Sequence, residues 1–139
     1  MSFEEKSTWI TALSLGVVNG WYFARILAEV TRVEADAIVY QGSLLVTLAI
    51  SVVLIVIGHI VVAIANPKAA DQTDERDRDI ERRGEYFGGY VLGSASLLVL
   101  GLAIVEVDHF WIAHAILAGL ILSELVSAVT KIVAYRRGF

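Results

Sequence analysis

Four stretches of this chain are each long enough and apolar enough to cross a bilayer, and that feature restricts the fold more than any other. Spanning the hydrocarbon core takes roughly 20 mostly apolar residues in a helix. The first stretch runs from about Thr8 to Glu29 and the second from about Ser43 to Ala65. The third runs from about Tyr86 to Val105 and the fourth from about Phe110 to Tyr135. Backbone amides cannot go unpaired in lipid, so each span is expected to be helical. The runs do not alternate as barrel strands would. At 57% hydrophobic residues the 139-residue chain is richer in apolar side chains than a soluble domain. The expectation is an all-α polytopic membrane protein. It is one integral domain over residues 1–139, an antiparallel four-transmembrane-helix bundle with a short cytoplasmic helix before span three.

Orientation follows from Lys and Arg. Lys6, Lys68, Arg76, Arg78, Arg82, Arg83, Lys131, Arg136 and Arg137 fall on one side of a four-span chain, and only Arg25 and Arg32 on the other. Both termini are therefore expected in the cytoplasm of a cell (inner) membrane. The acidic start Met1-Ser2-Phe3-Glu4-Glu5 does not fit a cleavable signal, so the first helix is read as retained. Trp9, Tyr86, Phe87, Tyr90 and Tyr135 suit an inner aromatic belt; Tyr22, Tyr40, Phe110 and Trp111 suit an outer one. The chain has no cysteine, which excludes disulfides and thiolate chemistry.

In lipid, helices associate where small residues let backbones approach. Span one carries Ala12, Gly16, Gly20, Ala24 and Ala28 at every fourth position, with Gly16 and Gly20 forming a GxxxG motif. Span three carries Gly89, Gly93 and Ser96, preceded by Gly84 and Gly88. These faces are expected to pack on a helix of this chain, of a second copy, or of another membrane protein. Ser43, Thr47 and Ser51 form a polar stripe on span two that suits an interhelical seam.

Residues 67–85 change character abruptly. Pro67 stops span two. The segment Asp74-Glu75-Arg76-Asp77-Arg78-Asp79-Ile80-Glu81-Arg82-Arg83 then alternates charges, with Thr73 as the expected helix cap. Arg82 and Arg83 lie nearest the membrane, placed to meet anionic headgroups. The interleaved arginines and the missing calcium-loop spacing argue against a metal site there.

Asp74-Glu75-Arg76, followed by Ile80 and leading into a span, resembles the signature of an uncharacterised family of small prokaryotic membrane proteins. His109-Phe110-Trp111-Ile112-Ala113 and Tyr135-Arg136-Arg137-Gly138-Phe139 are also similar to that group. The resemblance implies four spans and a charged central loop, and carries no activity with it.

Ionisable groups inside a span call for a function or a partner. Glu124 sits roughly 21 Å along span four at 1.5 Å per residue, somewhat past the midplane on the cytoplasmic side. His59 lies late in span two at a similar depth, with Ser127 and Lys131 on the face of Glu124 and Asn19 deeper in span one. One reading makes these groups structural glue in an accessory or interaction subunit, with Glu124 hydrogen-bonded to His59, Asn19 or a hydroxyl. The alternative makes Glu124 the coupling site of a small proton- or cation-coupled transporter or channel acting as a homo-oligomer. Haem ligation is disfavoured because His59 and the pair His109 and His114 fall at opposite ends. No nucleophile–base motif suggests an enzyme, and no cofactor or nucleic-acid partner is expected. The expected partners are lipid and either a second copy or another membrane protein.

Overall fold

Each apolar stretch folds as one α-helix in the computed structural model, which describes residues 3–65, 67 and 74–137. Helix α1 spans Phe3–Val30, α2 Gln41–Ala65, α3 Glu75–Ile104 and α4 His109–Arg137. One 3-10 turn, Ala35–Ala37, lies between α1 and α2. All four helices are long and apolar enough to cross a membrane, and no strand occurs among the described residues.

The described part of α2 ends at Ala65, and Pro67 is itself helical. Lys68, Asp71, Gln72 and Thr73 lie outside the described residues. The observed cap of α3 is Asp74, whose side chain accepts the Glu75 amide at 2.7 Å. Glu75 and Asp77 occupy the first turn, where the helix dipole favours anions. The charged segment is not a separate short helix as expected. It forms the first turns of α3, because nothing between Glu75 and Tyr86 breaks the helix and its one interior glycine, Gly84, is buried against the Lys131 side chain.

The turn joining α3 to α4 is fixed by backbone geometry. The Glu106 amide donates to the Ala103 carbonyl and the Val107 amide to the Leu102 carbonyl, both at 3.1 Å. That is a Schellman closure, and it holds Glu106 at φ 56°, in the left-handed region where glycine is favoured. Asp108 then caps α4 by accepting the Phe110 amide at 2.7 Å.

The helices pack in the order α2, α1, α4, α3. Helix α1 packs on both α2 and α4, and α3 packs on α4, while α2 and α3 share no extended interface. Along α3 and α4 the touching pairs are Glu81 with Lys131, Gly88 with Ser123, and Ala95 with Gly119, so numbers rise on one helix and fall on the other. Helix α4 is the hub: 39% of its most apolar window is buried, against 6% for α2 and for α3.

Close approach is carried by Gly84 and Gly88 at the start of the expected span-three set, not by its Gly89 and Gly93, and by Gly119 and Gly58 outside both small-residue stripes. A Cβ on Gly88 would meet the Ser123 carbonyl oxygen at 2.9 Å, one on Gly119 would meet the Ala95 Cβ at 2.6 Å, and one on Gly58 would overlap Ile10. Within the expected stripes, Ala12 and Gly16 are half-buried, with Gly16 near Leu125 at 4.0 Å. Gly20, Ala24, Gly89, Gly93 and Ser96 are exposed, and nothing lies within 4 Å of a Cβ built on any of those three glycines.

Candidate functional site

One end of the molecule is plugged. Tyr22, Ile26, Ile38, Phe110, Leu117 and Ile121 form the buried core there. Tyr22 and Phe110 are each 1% exposed, so both leave the outer belt assigned to them and become core. His114 sits among Tyr22, Phe23, Tyr40 and Phe110. Its Nδ1 lies 2.7 Å from the Phe110 carbonyl, which can only accept. The proton is therefore on Nδ1, and in the neutral ring Nε2 accepts the Tyr22 hydroxyl at 3.0 Å. This pair is missing from the sequence reading, where His114 served only as an end marker. Its signal was depth: Tyr22 late in span one and His114 early in span four meet at the same level.

A second polar pair joins α1 to α2. Asn19 Nδ2 donates to the Leu15 carbonyl at 3.0 Å and to Ser51 Oγ at 3.1 Å. Ser51 in turn donates to the Thr47 carbonyl at 2.8 Å. Asn19, Ser51 and Thr47 are all at most 5% exposed, so the polar stripe of span two is an interhelical seam and Asn19 belongs to it.

The opposite end is polar and hollow. A cavity of about 180 Å³ there takes side chains from all four helices. Helix α4 supplies Glu124, Ser127 and Lys131, and α2 supplies His59. Four of the five candidate polar residues thus meet in one place, and Asn19 does not join them. Helix α1 adds Glu4, Ser7, Thr8 and Thr11 at helical spacing, and α3 adds Glu81. None of those five takes a site role in the sequence reading: Glu4 and Ser7 precede span one, Thr8 and Thr11 open it, and Glu81 lies in the charged segment. An i, i+3, i+4, i+7 count from Glu4 was the signal available.

The charges in the cavity are unevenly satisfied. Lys131 Nζ donates to Glu81 Oε1 at 2.6 Å, so Lys131 joins α4 to α3 instead of reaching the interface alone. Among the described residues, Glu124 and Glu4 have no ion-pair partner, and no side chain hydrogen-bonds the Glu124 carboxylate. The expected bond from Glu124 to His59, Asn19 or a hydroxyl does not form. His59 Nδ1 instead donates to the Ile55 carbonyl at 2.8 Å, and Asn19 is engaged by Ser51. Just outside the cavity, Arg136 lies over the Trp9 ring at 5.7 Å and 3.8 Å from Glu5, tying the start of α1 to the end of α4.

Asp74, Glu75, Arg76, Arg82 and Arg83, expected on the cytoplasmic side, are exposed at the start of α3. Fold and site together define an all-helical protein with four potential membrane spans, plugged by aromatics at one end and hollowed by a polar cavity at the other. No protein-family model, curated protein or solved structure matches the chain.

Proposed function

We propose that this chain is a multi-pass protein of the cell membrane, with both termini cytoplasmic and its spans antiparallel, and that it works by assembly as an accessory subunit. The partner in this reading is a second copy. The observation that carries it is the helix order: α2 and α3 share no extended interface, so the four helices do not close into a tightly packed ring. Two further features support it. Glu124, midway along α4, is exposed and without a partner. A carboxylate at that depth costs about 2.5–3.5 kcal/mol on insertion scales unless water or protein covers it. Gly89, Gly93 and Ser96 of α3 leave an open small-residue face, the kind of surface on which lipid-embedded helices approach closely. Catalysis has no part in this reading.

The test is the mass of the purified protein in mild detergent and in nanodiscs, by native mass spectrometry. A dimer that persists on dilution is expected. A strict monomer at every accessible concentration refutes the assembly.

A further inference from the structure

We infer that the polar cavity between Glu4 and Glu124 is a binding site for a small organic ammonium cation bearing N–H donors. The cavity holds three carboxylates, Glu4, Glu81 and Glu124, and one lysine. Lys131 is matched to Glu81 at 2.6 Å, which leaves two carboxylates uncompensated. Glu4 is half-buried and Glu124 exposed, and neither has an ion-pair partner among the described residues, so a cation entering the cavity meets uncompensated negative charge.

The second step is the kind of group the walls offer. Thr8 and Thr11 spend their hydroxyl protons on the carbonyls of Glu4 and Ser7, at 2.8 and 3.2 Å. Their remaining capacity is lone pairs. His59 places its proton on Nδ1, bonded to Ile55, so the neutral ring keeps an acceptor at Nε2. Ser7 lines the same cavity, is 6% exposed, and its Oγ has no hydrogen-bond partner among the described residues. A buried hydroxyl left unpaired is destabilising, and a polar N–H group entering the cavity relieves it. The lining therefore offers lone pairs from Thr8, Thr11, His59 and Ser7 beside the carboxylates of Glu4 and Glu124.

The third step separates an ammonium from a metal. Among the described residues no three His, Asp or Glu side chains stand close enough together to hold a metal ion. The acceptors are spread over about 180 Å³ and do not converge on one point. Distributed acceptors suit a cation whose charge is carried by several N–H groups on a small apolar body. The apolar part has a surface in Ala128, and the aromatic plug around His114 closes the opposite end of the molecule.

The test is calorimetric titration of the full-length protein in nanodiscs with ethylammonium chloride. Saturable binding is expected, and tetramethylammonium, with the same charge but no N–H, should bind about tenfold more weakly or less. Glu124→Gln should weaken ethylammonium binding by about tenfold, and Ser7→Ala and Thr11→Val by a few-fold each. Glu34→Gln, in the loop at the plugged end, should bind as the parent does. If Glu124→Gln fails to fold, the two hydroxyl variants decide. Absence of saturable ethylammonium binding overturns the site. So does equal affinity for tetramethylammonium, or parental affinity in the folded Glu124→Gln or in both hydroxyl variants.

Discussion

Two adjacent glycines on α3 should respond in opposite ways to the same added methyl group. Gly88 is buried against α4. A Cβ there would sit 2.9 Å from the Ser123 carbonyl oxygen and 3.1 Å from Ser127 Cβ. The first contact is backbone, so it cannot yield by a side-chain rotation, and α3 must move away from α4. Gly88 also accepts the Ser123 hydroxyl at 2.8 Å, a bond that the movement would stretch. Overpacking of this kind costs about 1–3 kcal/mol. An interhelical hydrogen bond in a membrane contributes about 0.6 kcal/mol. Gly89 lies about 100° around the helix, and nothing stands within 4 Å of a Cβ placed there. Both substitutions gain the same helix propensity, about 1 kcal/mol, which cancels in the comparison. Gly88→Ala should therefore be about 2–3 kcal/mol less stable than Gly89→Ala. Reversible unfolding in mixed micelles, followed by far-ultraviolet circular dichroism, measures the difference. If Gly88→Ala is as stable as Gly89→Ala, the α3–α4 seam described above is wrong.

Three further perturbations test other parts of the fold. Tyr22→Phe leaves the buried His114 Nε2 without a donor and should destabilise the protein by about 1–2 kcal/mol, measured by the same unfolding assay. Glu106→Gly should stabilise it by about 0.5–1 kcal/mol, since glycine adopts the left-handed turn position without a Cβ penalty; a loss of stability would contradict the Schellman closure. Lys131→Met should cost less than about 1 kcal/mol despite the short ion pair, because the Glu81 side chain is 46% exposed and solvent screens it.

The helices were legible in the sequence because apolar length alone identifies them. The start of α3 was nearly legible, since the expected cap Thr73 lies one residue before the observed cap Asp74; the continuity of that charged segment with span three was not, because it rests on a packing contact, Gly84 on Lys131. Depth counting brought His59 and Glu124 to one level and helical spacing put Ser127 and Lys131 on the face of Glu124, and the four do share a cavity. It could not say what else stands there. Glu4, Ser7, Thr8 and Thr11 read as an ordinary polar N-terminus, and only the packing of α1 on α4 turns that face inward. The packing glycines were hardest to rank. Gly88 and Gly89 are equivalent as letters, and helix rotation, which composition does not encode, decides which one meets a neighbour.

Cross-linking bears most directly on the assembly. The chain has no cysteine, so one introduced at Gly93→Cys, on the open face of α3, is unique. A bismaleimide added to native membranes should join two copies through that position. Ala95→Cys, which faces Gly119 inside the same molecule, should give little or no dimer. Failure of Gly93→Cys to cross-link, or equal cross-linking at both positions, would contradict pairing through this face.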